Sequence, residues 1–373
     1  LAELIDLKKI IFAVTNDLVH DQRMHRICST LQANNYSVTL VGRKRRNSQT
    51  LDKLNYNQVR LKCWFNKGKL FYLEYNFRLL FHLLSNSSGG ICSVDLDTLL
   101  ACGIASRFKN NKLIFDAHEL FTEVPELNNR PRSKAIWKWI GKKFIKQSHA
   151  RYTVSEAVAK RLQELYGKSF QLIKNVPSLQ KAPTPAPRFK TKTLYYQGAL
   201  NIGRGLELVL QALANELHEY KFWIAGEGDI TQELKKLTKD LDLENRVTFF
   251  GTLPLKEMQD KMTKVSIGLN LLDASISESY KVSLANKTFD YMHGKLPAIH
   301  MDFPEYRKLY NEHNCCFLLA SYKASEFAAC VKNISESQWS LAKQNCIGAS
   351  QAYNWDNEST ELINIYDNLF IQK

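Results

Sequence analysis

The sequence predicts an α/β protein made of two doubly wound parallel-sheet domains, and three observations carry that prediction. Short apolar runs with the character of buried parallel strands alternate with helical patterns through both halves of the chain. A segment from Pro177 to Pro187, "PSLQKAPTPAP", holds four of the nine prolines and has no apolar periodicity, so it reads as a linker. In the second half three apolar runs end in glycine, at Gly198, Gly226 and Gly251. The carboxyl ends of parallel strands are where open sheets bind ligands, and glycine there admits a ligand to the backbone.

The elements follow in order. Strands are expected at 9–14, 36–42, 59–63, 91–94, 112–115, 150–154 and 171–173, with helices at 24–34, 68–85, 97–108, 133–148 and 155–165. After the linker come strands ending at 198, 226 and 251, strands 265–270 and 296–301, and helices at 204–217, 230–241, 255–263 and 284–293. The expected organisation is a first domain over 1–176, a linker over 177–190 and a second domain over 191–354. A resemblance carried by "YNWDNESTELINIYDNL", Tyr353 to Leu369, implies a terminal helix over 355–373 that returns to the first domain.

Composition narrows the function. Hydrophobic residues at 45% and charged residues at 24% are ordinary for a globular protein, and no apolar run reaches the length of a membrane span. Leu1 to Lys9 lacks the features of a secretory signal, so a cytoplasmic protein is expected, either free or peripheral on the inner face of a membrane. Eight cysteines without CxxC spacing read as reduced thiols, mostly buried. A formal net charge of +14 calls for an anionic partner. Nucleic acid is disfavoured because the cations are scattered and no helix-turn-helix or zinc-finger pattern occurs. A dinucleotide dehydrogenase is disfavoured because no GxGxxG follows the first strand.

The block 283–304, "SLANKTFDYMHGKLPAIHMDFP", is the most informative. Ser283 is expected to cap a short helix whose first amides, around Leu284 and Ala285, attract phosphate. Lys287 adds a charged contact, and Asp290 offers a carboxylate to ribose hydroxyls. The loop after the first strand, "TNDLVHDQR", is not glycine-rich, so Asp21 and Arg23 are expected to face an acceptor. "DLD" at 95–97 has the letters of a metal pair but is not read as a metal site.

This block resembles the donor-binding signature of the retaining glycosyltransferase family four. "YYQGALNIGRGLELVLQAL", "FWIAGEGD" and "VTFFGTLPLKEM" resemble that family's strands and glycine loops, and "LIFDAHEL" resembles the DxHE pattern of one of its branches. The resemblance implies the GT-B fold, two Rossmann-like domains facing a central cleft. It implies a UDP- or GDP-linked sugar as cosubstrate, bound without a metal or other cofactor. It places Arg204 and Lys287 at the donor phosphates, Gly226 and Gly228 in a Gly-x-Gly loop, Phe249 to Gly251 at the base, and Asp290 at the second glutamate of a Glu-x7-Glu motif. His118 would hydrogen-bond the donor sugar or position the acceptor, with Glu119 beside it. Two positions depart from the pattern: Val282 stands where the first glutamate would fall, and Ala199 near a usual arginine. Glu278 or Ser283 is the candidate substitute for the first, Lys287 for the second.

The implied reaction moves a hexose or derivative to a glycan or lipid-linked acceptor, with retention, in surface polysaccharide or glycoconjugate synthesis. A nucleotide-sugar epimerase on the same scaffold is the alternative, with a basic nucleic-acid-binding protein behind it. Basic and aromatic residues at 64–84 and 132–151 suggest an anionic membrane surface as a further partner.

Overall fold

The computed structural model describes residues 8–370 except 20, 125–126, 128–129 and 180–186. Most of Leu1 to Lys9 and the centre of the predicted linker therefore lie outside the described residues. The chain divides into two compact units, one of Leu1–Asn175 with Asn357–Lys373, the other of Val176–Asp356.

The first unit is a seven-stranded parallel sheet of order β3-β2-β1-β4-β5-β6-β7. Its strands are β1 (Lys9–Ala13), β2 (Ser37–Lys44), β3 (Asn57–Lys62), β4 (Gly90–Val94), β5 (Lys112–Ala117), β6 (Ala150–Thr153) and β7 (Gln171–Leu172). Helices α1 (Gln22–Ala33), α2 (Gly68–Ser85), α3 (Leu99–Lys109), α4 (Pro131–Phe144) and α5 (Glu156–Tyr166) connect them. Strands buried on both faces explain the unbroken apolar runs: every residue of β4 is buried, as are Ile10, Phe12, Ile114 and Phe115. Local chemistry sets the helix ends. The Ser155 hydroxyl accepts from the Val158 amide at the start of α5, and Gly167 closes it in a left-handed conformation.

The second unit is a six-stranded parallel sheet of order β10-β9-β8-β11-β12-β13. Here β8 is Thr193–Gln197, β9 Lys221–Ala225, β10 Val247–Phe249, β11 Ile267–Asn270, β12 Ala298–Met301 and β13 Cys316–Leu319. The helices are α6 (Leu206–Asn215), α7 (Thr231–Asp240), α8 (Leu255–Met262), α9 (Glu278–Val282), α10 (Asn286–His293), α11 (Pro304–His313), α12 (Ala324–Asn333) and α13 (Glu336–Ala352). Leu194, Phe222, Ile224, Ile267, Leu269 and Ile299 on the strands pack against Leu206, Val209, Phe327 and Trp339 on the helices. In each sheet the strand order reverses once, between β1 and β4 in the first unit and between β8 and β11 in the second.

Two features go beyond the sequence expectation. A sixth strand, β13, and helices α11 to α13 extend the second unit past the predicted series. The predicted helix over 284–293 is α10, which starts two residues later, and a short helix not predicted, α9, precedes it across an extended break at Ser283 to Ala285.

The terminal helix α14 (Trp355–Phe370) begins where the Trp355 amide donates to the Pro177 carbonyl. Its later residues pack on the first unit. Tyr366 is fully buried with its hydroxyl 3.1 Å from that of Tyr152, and the Tyr36 hydroxyl donates to Asp367 at 2.7 Å. All eight cysteines are free thiols, six of them buried.

Candidate active site

In the second unit the site residues gather at the carboxyl edge of the sheet, beside the reversal between β8 and β11. The loops after β8 and β9 are laced together by backbone. Gly198 donates to Ala225, Gly226 to Gly251, and Leu200 to Glu227. This explains the glycines differently from the sequence reading. Gly226 has φ +145°, and a Cβ there would stand 1.9 Å from the Gly198 carbonyl oxygen. A Cβ on Gly228 would meet the Leu200 carbonyl oxygen at 2.3 Å. These two glycines are required by loop-on-loop packing, whereas Gly198 and Ala199 are exposed.

Above Gly198 sits an unusual cation. The Lys287 Nζ is 3.2 Å from where a Gly198 Cβ would be and 3.6 Å from the centroid of the Tyr196 ring. Lys287 is buried, and burial, followed by the charge of nearby Arg204, pushes its pKa well below the ordinary lysine value; Asp290 opposes this. The Arg204 guanidinium lies 4.9 Å from the Tyr280 ring centroid, and its buried Nε has no hydrogen-bond partner. Neither cation forms a salt bridge with a carboxylate among the described residues. Two close basic side chains with no salt-bridged carboxylate fit an anionic ligand.

Helix α10 contributes its amino end to the same place. Its N-cap is Ala285, whose methyl group cannot accept from the first-turn amides. Ser283 is not the cap: it ends α9, and its hydroxyl donates back to the Tyr280 carbonyl. The extended break makes Ala285 the start of α10 instead. Tyr306 holds this turn, its hydroxyl accepting from the Ala285 amide at 3.1 Å and from the Asn270 side-chain amide at 2.9 Å. Its ring stacks on His300 at 4.6 Å, and burial lowers the His300 pKa to about 3, so that imidazole stays neutral.

The remaining predicted donor residues are placed as follows. Asp290 is half-buried, its carboxylate accepting from Gln197 at 2.8 Å. The Gln197 Oε1 is buried and unpartnered. Leu284 packs on the apolar cluster of Phe289 and Met292. Phe249 is half-buried on the edge strand β10, and Gly251 follows it with φ +68°. Glu278 is exposed and paired with Lys281 at 2.8 Å.

The first unit has its own cluster at the carboxyl ends of β1, β4 and β5. The Arg23 guanidinium donates to Asp116 at 2.9 Å and to the Ile173 carbonyl at 2.8 Å, with both side chains essentially buried. Arg23 therefore does not face an acceptor. It is a structural cation, folded inward because Asp116 is buried and needs a counter-charge. Asp21 caps α1, accepting from the Met24 amide at 3.0 Å and from the Asn16 side chain at 2.6 Å.

His118 lies just past β5 with 24% of its side chain exposed. Its Nε2 is 3.0 Å from Asp116, its Nδ1 3.8 Å from Asp95, and its amide donates to Asp95 at 2.8 Å. Burial disfavours its charge, but Asp116 and then Asp95 outweigh burial and hold its pKa up at about 9. Burial raises Asp95 to about 8 and Asp97 to about 6, while Thr15 donates to Asp97 at 2.5 Å. Glu119 is exposed beside His118. Among the described residues no group of three His, Cys, Asp or Glu is placed to hold a metal ion.

Comparison with known proteins gives this arrangement a context. The family model "Glycosyl transferases group 1" matches residues 180–351, and "Glycosyltransferase Family 4" matches residues 21–177. No curated protein matches the sequence. Among solved structures, sucrose-phosphate synthase from Thermosynechococcus elongatus superposes with a TM-score of 0.78 at 14% identity, covering 97% of this chain and 99% of the other. HepE from Anabaena, solved with UDP-glucose, superposes at 0.75 and 14% identity, covering 96% and 99%. WaaG, a glycosyltransferase involved in lipopolysaccharide biosynthesis, superposes at 0.71 and 12% identity, covering 98% and 100%. Matched by glycosyltransferase models in both halves and sharing the two-sheet fold of these structures, the chain is a GT-B glycosyltransferase.

Proposed function

We propose that the protein transfers a hexose or hexose derivative from a nucleoside-diphosphate sugar to a glycan or lipid-linked acceptor, with retention of anomeric configuration. The observation that carries this reading is the Arg204–Lys287 pair, two basic side chains with no salt-bridged carboxylate among the described residues, at a helix start without a side-chain cap. A diphosphate supplies the missing negative charge. UDP is the favoured nucleotide because HepE, similar across nearly the whole chain, was solved with UDP-glucose. Asp290, held by Gln197, is the candidate for the ribose hydroxyls.

In the proposed reaction the bond from the anomeric carbon to the diphosphate oxygen breaks, and a bond to the acceptor hydroxyl oxygen forms on the same face. The acceptor proton passes to the departing diphosphate. Arg204, Lys287 and the first amides of α10 stabilise the charge growing on that diphosphate, and the chemistry asks for no metal. His118, charged at neutral pH, is the first unit's candidate donor to acceptor hydroxyls.

The test is turnover of UDP- and GDP-linked hexoses in EDTA with mixed glycan acceptors, the product anomer being read by proton NMR. The proposal expects acceptor-dependent release of UDP and a product with the donor's configuration. An inverted product would overturn retention, and turnover without any acceptor would point to epimerisation.

A further inference from the structure

Helix α2 presents apolar side chains in two directions. Phe71, Tyr75, Leu79 and Leu83 are buried in the first unit. The opposite side carries Leu70, Leu73, Phe77, Phe81 and Leu84, all exposed, with Leu73 at 69%, Phe77 at 61% and Phe81 at 56%. The spacings of three, four, four and three residues set these five in one stripe, roughly 20 Å long at the α-helical rise. Phe77 and Phe81 pack edge to face with centroids 4.7 Å apart. A helix on a globular surface ordinarily turns a polar face to water, and a continuous exposed apolar stripe marks an interaction surface.

The surroundings select the partner. Trp64, 82% exposed just before α2, stacks on the Arg78 guanidinium at 4.8 Å. The Tyr72 ring meets Trp137 at 5.3 Å, so α4 lies against the amino-terminal part of α2. Helix α4 carries Arg132, Lys134, Lys138, Lys142 and Lys143 and no acidic residue, with Ile136 and Trp139 exposed among them. Lys67 and Lys69 are exposed at the start of α2. In α2 the single acidic residue is Glu74, which accepts from the Trp64 and Phe65 amides and pairs with Arg78. Two copies of this face would oppose like charges, whereas an anionic bilayer meets both chemistries, taking the apolar stripe at the acyl boundary and the cations among its headgroups. Charged Lys69, Glu74 and Arg78 interrupt α2, and among the described residues no helix is long and apolar enough to cross a membrane.

We propose that α2, flanked by the basic helix α4, is a docking face for an anionic lipid bilayer, with α2 lying in the plane of the surface. The assignment rests on the first unit alone and does not depend on which sugar is transferred.

The experiment is co-sedimentation of the full chain with phosphatidylcholine vesicles, with and without phosphatidylglycerol, over a salt series and without nucleotide. Wild type should pellet with the anionic vesicles at low salt and be released as salt rises. F77S/F81S should lose binding at every salt concentration. K142E/K143E should weaken anionic binding by at least about fivefold per lysine removed. Both pairs are exposed, and unchanged thermal unfolding would confirm intact folding. Wild type that fails to pellet, or F77S/F81S that binds as wild type does, would overturn the proposal. Concentration-dependent dimers in ultracentrifugation that F77S/F81S abolishes, with no vesicle binding, would overturn it in favour of a second copy.

Discussion

Replacing Lys287 by methionine should make the unliganded protein more stable and the nucleotide complex weaker. Lys287 is buried, has no salt bridge among the described residues, and has its pKa pushed down by burial and by Arg204. Taking a polar group largely out of water without a full set of hydrogen bonds costs about 1–3 kcal/mol, of which the Tyr196 face returns a part. Methionine keeps the length and removes the charge, so a net gain of about 1 kcal/mol is expected, or roughly 2–4 °C in the melting temperature of a unit this size. Charge-assisted hydrogen bonds contribute about 1.5–3 kcal/mol, so UDP affinity should fall roughly 10- to 150-fold. Differential scanning calorimetry and a UDP titration on the same samples read both effects. Lower stability together with unchanged UDP affinity would refute the reasoning and make Lys287 a packing residue.

Three further outcomes follow from the geometry. R23M should destabilise the first unit by about 3–5 kcal/mol, because it leaves Asp116 buried without its cation. Arg23 and His118 hold the Asp116 pKa down despite burial, so that stability is present above the ordinary carboxylate range and lost as pH falls. The acid-unfolding midpoint of R23M should therefore move up. The His118 pKa is raised to about 9, so its contribution is complete below about pH 6.5 and fades as pH rises through 9. H118Q should flatten that alkaline limb in urea unfolding between pH 6 and 10, and an unaltered profile would contradict the ion pair. G226A should unfold the second unit at markedly lower temperature, since positive-φ strain of about 1–3 kcal/mol adds to contact with the Gly198 carbonyl.

Much of the fold was legible because its signals are local. Strands buried on both faces stand out as apolar runs, and Gly198, Gly226 and Gly251 mark their ends. The break at Ser283 was not legible. Ser283 and Ser277 are equally good caps by composition, and the hydrogen bond from the Ala285 amide to Tyr306, 21 residues away, marks the start of α10. Arg204, Lys287 and Asp290 were found through motif resemblance, but nothing local reveals that Tyr196 and Tyr280 are the rings beneath the two cations. A tyrosine in an apolar strand looks the same whether it fills core or supports a charge.

Arg23 shows the opposite failure. A loop arginine reads as exposed until its partner 93 residues away is known to be buried. The same long-range folding brings Asp95 and Asp97, plain letters in the sequence, beside His118, where burial and then the charge of Glu119 raise the pKa of both carboxyls. The basic and aromatic surplus at 64–84 was legible, but which side of α2 stays exposed was not, because apolar residues on every side of a helix do not tell the covered face from the open one.

The most direct test of the central claim is calorimetric titration of UDP into wild type and R204A in EDTA. Wild type should bind UDP saturably without metal, and R204A, which lacks the guanidinium that would meet the diphosphate, should bind at least about tenfold more weakly. Equal affinity in the two proteins, or no binding to wild type until a divalent cation is added, would contradict it.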